Sequence, residues 1–262
     1  MRHQLSFACD GAALAATLDA GSGTTGLLIV SGGNEVRSGA HRGMATLAQR
    51  VAAAGHPVFR FDRRGIGDSE GGNGGYRGSG PDIAAAIAAF RSAAPQLTRI
   101  VAFGNCDAAS ALLLHQPLAL DALILANPWT YDDDGDESDE PALPPATAIR
   151  ARYWSRMKDP KSLLRLFRGD VDLRKLVRGL SAIGASSAPA APESLPAKLD
   201  HALTSLARPA TILLATGDRT AQAFVEKCRP PGVPVERLDS ASHSFAGEDA
   251  EWLTGRILER LS

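Results

Sequence analysis

Long hydrophobic runs are missing from this sequence of 262 residues. No stretch approaches the roughly 18 consecutive apolar residues that cross a bilayer, so we expect no stable membrane insertion. The first residues, MRHQLSFACD, also lack the apolar segment of a secretory signal. We therefore expect a cytoplasmic protein.

An excess of charge of either sign is also absent. The sequence has 28 Lys and Arg residues against 29 Asp and Glu residues, which gives a formal net charge of -1. Proteins that bind nucleic acids usually present a strongly basic surface, so we expect no nucleic-acid partner. The composition carries no signal for an oligomeric state.

Cysteine is scarce. Cys9, Cys106 and Cys228 are an odd number at wide spacings, a pattern that fits neither a disulfide framework nor a zinc cluster. At least one thiol therefore stays free, and we expect neither a metal nor a cofactor. The content of 44% hydrophobic and 22% charged residues is typical of a globular domain and excludes a disordered chain.

Apolar, strand-like segments alternate with helical ones through the first half of the chain and again at its end. The strand-like segments are 26–33, 57–62, 99–104, 122–128, 209–217 and 233–239. The helical segments are 39–55, 81–94, 106–115, 219–228 and 247–262. Because apolar strands joined through helices form parallel sheets, this pattern predicts an α/β fold with helices on both faces of the sheet. Residues 1–18 predict a hairpin at the sheet edge, which brings the sheet to about eight strands.

The alternation stops between residues 129 and 208. This part contains an acidic run, a proline-rich stretch, a basic stretch of helical pattern and a segment of low complexity. We expect a helical cap, inserted over the C-terminal edge of the sheet, where such folds place their sites. The core then consists of residues 1–128 and 209–262.

The sequence VAFGNCDAAS places a cysteine between a strand and a helix. In a nucleophile elbow the residue at this tight turn is flanked, two positions away on each side, by small residues. Gly104 and Ala108 fill these places around Cys106. A buried cysteine that packs as a small hydrophobe is the alternative. Asp107 or Ser110 as nucleophile would misplace the small residues.

The order of residues along the chain favours the catalytic interpretation of Cys106. In this architecture an acid follows a later strand and a histidine follows the last one. Asp218 directly follows the strand-like segment 209–217, and His243 lies just after the last strand. The alternatives are a helix N-cap for Asp218, which is compatible with the catalytic role, and a surface loop position for His243.

With these residues in place, the chain resembles the α/β-hydrolase superfamily. DRRGIGDSEG, at 62–71, is similar to the loop D-x-R-G-x-G-x-S that is common in that superfamily. More narrowly, SGGNEVRSGAHRG, DRRGIGDSEG and FGNCDAAS are similar to exosortase A system-associated hydrolases of the first type, which are found beside exopolysaccharide genes. Two departures stand out: Cys106 replaces the usual serine, and Ser31-Gly32-Gly33 replaces the usual His-Gly pair.

Acyl transfer through a thiol requires a thiolate and a site for the oxyanion. A free thiol has a pKa of about 8.5, so Cys106 gains from a neighbouring His243 and from the N-terminus of the helix that follows it. The predicted oxyanion donors are the backbone N–H groups of Asp107 and Gly33, with Asn34 as the close alternative. A tight glycine turn is the other interpretation of Gly33.

Aromatic and basic residues alternate in the predicted cap. Arg152, Tyr153, Trp154 and Arg156 are the predicted substrate-binding residues. In this interpretation the basic side chains are expected to attract an anionic part of the substrate, and the apolar side chains are expected to cover an acyl chain. The alternative is an amphipathic helix pair whose basic face is merely solvated.

The sequence thus predicts a hydrolase of small-molecule esters or thioesters with the triad Cys106, His243 and Asp218. An acyltransferase, which passes the acyl group to an acceptor other than water, uses the same residues. A non-catalytic α/β-hydrolase scaffold with a binding or accessory role is the alternative from another class.

Overall fold

A computed structural model describes residues 1–132, 194–229 and 232–262. In this part of the chain eight strands form one sheet in the order β1-β2-β4-β3-β5-β6-β7-β8. The strands are β1 (Arg2–Cys9), β2 (Ala12–Asp19), β3 (Thr25–Val30), β4 (Val58–Phe61), β5 (Arg99–Asn105), β6 (Ala122–Ala126), β7 (Ala210–Ala215) and β8 (Val235–Leu238). The predicted sheet of about eight strands is confirmed.

All pairs from β4 to β8 are parallel, whereas the hairpin β1–β2 is antiparallel and joins β4 in antiparallel register. The hairpin therefore forms one edge of the sheet, as predicted. Central strands are continuous apolar runs because both of their faces are covered: Leu27, Leu28, Ile29 and Val30 of β3 are all buried.

Helices cover both faces of the sheet in the described residues. They are α1 (Gly43–Ala53), α2 (Gly75–Gly78), α3 (Gly80–Ala93), α4 (Asp107–Leu114), α5 (Leu195–Ser205), α6 (Arg219–Lys227) and α7 (Asp249–Leu261). Apolar side chains of α1 and α7 pack in one core cluster, and those of α3, α4, α5 and α6 pack in the other. None of the helices in the described ranges is long and apolar enough to cross a membrane.

The chain leaves the sheet after β6 and returns before β7 at almost the same point. The N–H of Leu195 donates a hydrogen bond to Oδ1 of Asp132, at 2.5 Å. From there α5 packs against α4 and buries Leu199 and Leu203 in the core. The division into a core of 1–128 and 209–262 and a cap of 129–208 stays a prediction, because residues 133–193 lie outside the described part.

Because β3, β5, β6, β7 and β8 are parallel, their carboxyl ends meet at one edge of the sheet. The loops that carry the predicted site residues follow these ends. The topology therefore brings together groups that are more than a hundred residues apart in the sequence, as in other open α/β sheets.

Candidate active site

Cys106 occupies a strained turn between β5 and α4. Its φ of 61° and ψ of -126° lie in a region of backbone conformation that residues other than glycine rarely adopt. The turn is also crowded: a Cβ at Gly104 would lie 2.8 Å from the carbonyl carbon of Ala108. The sequence places its smallest residue where the turn leaves no space for a side chain.

Backbone hydrogen bonds hold this strained residue in place. The N–H of Cys106 donates to the carbonyl of Ala126, at 3.0 Å, and its own carbonyl accepts from the N–H of Trp129, at 3.2 Å. Strained conformations persist only where surrounding contacts enforce them. Here the end of β6 supplies these contacts, so the position of the sulfur is tied to the sheet.

The three cysteines, all in described residues, differ in their surroundings. Cys9 and Cys228 are buried, and Cys106 is half-buried at the sheet edge. Burial raises the pKa of the Cys228 thiol to about 12, and burial together with the charge of Asp82 raises the pKa of Cys9. Both of these thiols stay protonated near neutral pH.

Asp218 and His243 lie together at the same edge. Nδ1 of His243 is 3.1 Å from Oδ1 of Asp218. Oδ2 of Asp218 accepts a hydrogen bond from the N–H of Ala221, at 3.0 Å, so the carboxylate also caps α6. The N-cap proposed as the alternative role thus coexists with the contact to the imidazole.

The imidazole of His243 also interacts with the side chain of Cys106. The interactions with Asp218 and with Cys106 raise the pKa of His243 to about 10, against the opposing effect of burial. The ring is therefore protonated at neutral pH and stands between a carboxylate and a sulfur. The structure brings together all three residues of the predicted triad.

The other side of the turn faces the loop Gly32–Gly33. The carboxylate of Asp107 accepts a hydrogen bond from the N–H of Gly33, at 2.6 Å. Arg63, which is buried, donates to the carbonyl of Gly33 and lies 3.3 Å from Oδ2 of Asp107. The predicted oxyanion donor Gly33 is therefore engaged by a side chain of the protein itself.

The remaining predicted oxyanion donors are differently placed. The N–H of Asp107 is at the start of α4, and no group in the described residues accepts a hydrogen bond from it. Asn34 is exposed, and its Oδ1 accepts from the side chain of Asn73, at 2.9 Å. Of the three candidate N–H groups, those of Asp107 and Asn34 have no acceptor in the described part of the chain, whereas that of Gly33 donates to the carboxylate of Asp107.

An aromatic wall begins where β6 ends. The rings of Trp129 and Tyr131 are 4.6 Å apart, and Nζ of Lys227 lies 4.4 Å from the centre of the Tyr131 ring. Burial, followed by the negative charge of Asp218, raises the pKa of Tyr131, so its phenol stays neutral. These side chains present an apolar surface beside the site.

The predicted substrate-binding residues Arg152, Tyr153, Trp154 and Arg156 lie outside the described residues. Three further residues contact the predicted site residues and were not predicted from the sequence: Arg63, Asn105 and Asn127. Arg63 stands in the loop DRRGIGDSEG, and Asn105 directly precedes Cys106, so position alone could have marked both. Asn127 follows a strand at the site edge, but no pattern of residues indicates its contacts.

Comparison with known proteins gives a consistent result for the fold. A sequence profile described as the alpha/beta hydrolase family matches residues 27–255. No curated protein matches the sequence.

Several solved structures are similar over nearly the whole chain. The esterase Pf2001 of Pyrococcus furiosus is 17% identical, with a TM-score of 0.64 over 100% of this chain and 90% of that one. The alpha/beta hydrolase GrgF of Penicillium sp. sh18 is 16% identical, with a TM-score of 0.64 over 100% and 98%. The esterase EaEST of Exiguobacterium antarcticum is 16% identical, with a TM-score of 0.62 over 99% of each chain. At these identities the similarity shows the fold alone.

Proposed function

The chain belongs to the alpha/beta hydrolase family, and we propose that it is a cysteine-nucleophile hydrolase that cleaves an ester or thioester through an acyl-enzyme. The predicted α/β-hydrolase fold is confirmed. One observation carries the proposal: the imidazole of His243 has its Nδ1 3.1 Å from Oδ1 of Asp218 and interacts with the side chain of Cys106. A thiol, a base and an orienting carboxylate in this order are the parts that nucleophilic acyl transfer requires.

In the first half-reaction the sulfur of Cys106 attacks the carbonyl carbon of the substrate, and a C–S bond forms. His243, which holds a proton between Asp218 and the sulfur, donates it to the departing alkoxide or thiolate as the bond between carbonyl and leaving group breaks. The products of this step are an acyl-Cys106 thioester and a free alcohol or thiol.

In the second half-reaction His243 is neutral and accepts a proton from water. The resulting hydroxide attacks the acyl carbon, the C–S bond breaks, and the acyl group leaves as a carboxylic acid. The sulfur departs as a thiolate beside the protonated His243, which restores the starting state. Asp218 keeps the same nitrogen of the ring oriented throughout.

Two features place positive charge beside the sulfur of Cys106. His243, whose pKa is raised, is a cationic partner, and the sulfur precedes the first residue of α4. The N-terminus of a helix carries a partial positive charge, which stabilises a neighbouring anion. Both effects act on the sulfur before any substrate binds.

The oxyanion of the tetrahedral intermediate would accept a hydrogen bond from the N–H of Asp107. The N–H of Gly33 is the second donor of this proposal, and the substrate oxygen must compete for it with the carboxylate of Asp107, 2.6 Å away. This competition favours a second candidate function, that of a non-catalytic binding protein with the same fold.

An acyltransferase would use the same first half-reaction. In that case the acyl group of Cys106 is transferred to an acceptor other than water.

A link to exopolysaccharide and exosortase systems belongs to the proposal as well. It rests on the similarity of the loops around Gly33, Arg63 and Cys106 to the exosortase-associated hydrolases. The contribution of Arg152, Tyr153, Trp154 and Arg156 to substrate binding rests on their residue types. The genes beside the one that encodes this chain test the link directly: exopolysaccharide genes are expected there, and their absence contradicts it.

The proposal is tested by mass spectrometry of the Cys106 peptide after incubation with a panel of acyl thioesters. We expect an added acyl mass on Cys106 in the wild type, and loss of this adduct in Cys106→Ala. In His243→Ala we expect adduct formation at least about a hundredfold slower. Cys228→Ala is the matched control and keeps the adduct. Labelling of Cys106 no faster than that of Cys9 and Cys228 would support the binding protein instead.

A further inference from the structure

Two asparagine side chains meet at the backbone carbonyl of His243. Nδ2 of Asn105 and Nδ2 of Asn127 each donate a hydrogen bond to this oxygen, both at 3.1 Å. A carbonyl oxygen has two lone pairs, so the two amides use its full capacity. The residue that carries the imidazole is thereby attached to the ends of β5 and β6.

Asn127 reaches a third element of the site. Its Oδ1 accepts a hydrogen bond from the N–H of Ala215, at 2.9 Å, at the end of the strand that leads to Asp218. Its Nδ2 also donates a hydrogen bond to Oδ1 of Asn105, at 3.3 Å. One side chain therefore connects the neighbour of Cys106, the strand before Asp218 and the carbonyl of His243.

Asn127 lies in a buried position that restricts its backbone. The residue is fully buried, and its φ of 41° lies in the left-handed region, which asparagine adopts more readily than most residues. Its backbone N–H donates to the carbonyl of Leu213, at 3.0 Å. An apolar residue here would leave the buried N–H of Ala215 without this acceptor and the carbonyl of His243 with one amide donor instead of two.

We propose that Asn127, supported by Asn105, is a positioning residue that sets where the imidazole of His243 stands relative to Cys106 and Asp218. It touches no reacting atom and acts through the backbone of His243. Without the two amides the peptide after His243 can rotate, and the ring can leave the line between carboxylate and sulfur. Misplacements of about 1 Å can reduce a rate by about a hundredfold.

The test uses two variants and one control. Asn127→Gly removes the amide while keeping a residue that tolerates positive φ, and Asn105→Ala removes one of the two donors. Ser79→Ala is the control, because Ser79 is also buried and loses one side-chain hydrogen bond, to the carbonyl of Tyr76 at 2.9 Å. The probes are alkylation of Cys106 by iodoacetamide at neutral pH and the NMR titration of the His243 imidazole.

We expect alkylation of Cys106 to slow by about 10- to 100-fold in Asn127→Gly and by about 3- to 10-fold in Asn105→Ala. In both variants the titration of His243 moves from about 10 toward its ordinary value of 6.5. Ser79→Ala loses stability and changes neither readout. Variants that lose stability while keeping the wild-type alkylation rate and titration overturn the proposal. If Asn127→Gly does not fold, Asn105→Ala decides by the same criteria.

This inference rests on the proposed function, but the two can fail separately. A wild type that forms no acyl adduct on Cys106, while its His243 titration still depends on Asn127, contradicts the hydrolase and leaves the positioning role intact. A wild type that forms the adduct, with an alkylation rate and a titration of His243 that do not respond to Asn127 or Asn105, does the reverse.

Discussion

Cys106 has two differing sides: one faces His243, and the other faces the Gly32–Gly33 loop. They differ in how many of their polar groups already have a hydrogen-bond partner within the protein. On the first side the imidazole is partly exposed, 41% for its side chain, and joins the sulfur to Asp218. On the second side Arg63 and Asp107 are buried and saturate Gly33, with side-chain exposures of 3% and 12% for the arginine and the aspartate.

This difference separates two requirements of acyl transfer. In the proposed reaction the imidazole side acts before substrate arrives, because His243 is a cation next to the sulfur. On the loop side the carboxylate of Asp107 lies near the place where the proposed oxyanion develops its negative charge. The ion pair of Arg63 and Asp107 shapes the loop, and its carboxylate opposes the oxyanion. Three variants separate these contributions.

The largest effect is expected for Arg63→Met, which leaves the carboxylate of Asp107 without its cationic partner. Breaking a buried ion pair by removing one member costs about 3–5 kcal/mol. We expect a loss of this size in the free energy of unfolding, measured by urea denaturation. Arg91→Met is the matched control: Arg91 and Asp121 are partly exposed, their closest atoms are 3.8 Å apart, and the loss is about 0–1 kcal/mol. Equal losses in both variants contradict the buried role of Arg63.

A smaller effect is expected for Asp107→Asn, and here the expected effect is an increase in the rate of acylation. The amide keeps an oxygen for the N–H of Gly33 but removes a negative charge beside the oxyanion site. In a partly solvated site such a charge is worth about 1 kcal/mol, or about fivefold in rate.

We therefore expect the acylation of Cys106 by a thioester to be about five times faster in Asp107→Asn, measured by rapid-quench mass spectrometry. The folded protein is less stable, since Arg63 loses its partner. A slower acylation with the fold retained shows that the carboxylate assists the reaction and reverses our account of the loop side.

The third effect concerns pH and tests the imidazole side. Folding raises the pKa of His243 from its ordinary 6.5 to about 10, so between these values the folded protein holds a proton that the unfolded chain releases. This stabilisation is fully present below about pH 6.5 and is lost as the pH rises through about 10.

We expect the wild type to be more stable than His243→Gln at about pH 6.5, with a difference that shrinks steadily toward pH 10. The measurement is the free energy of unfolding of both proteins by urea denaturation across this range. A difference that is constant, or that grows with pH, means that His243 is not held as a cation in the folded protein.

The parallel sheet and the edge that carries the site follow from local patterns in the sequence. Parallel strands such as β3 and β5 are apolar and buried in their central residues because both faces are covered, and each is followed by a helix of recognisable periodicity. Once the sheet is parallel, the approach of Cys106, Asp218 and His243 requires only that each follows a strand.

The loop side and the asparagine contacts could not be predicted in this way. Whether the carboxylate of Asp107 turns toward Gly33 or toward solvent depends on side-chain rotation and on the buried partner Arg63, which a linear pattern does not specify. The contacts of Asn127 depend on the register of β6 and β7 to within one residue. Predicted boundaries of strands are less accurate than that.

The hydrogen bond between Asp132 and Leu195 has a consequence for how this molecule can evolve. Because Asp132 and Leu195 are hydrogen-bonded to each other, residues 133–193 connect two points that lie close together. A shorter or longer segment can replace them without changing the distance between these two points. The entropy of closing such a loop grows only slowly with its length. A longer or shorter segment therefore leaves unchanged the sheet edge that brings Cys106, Asp218 and His243 together.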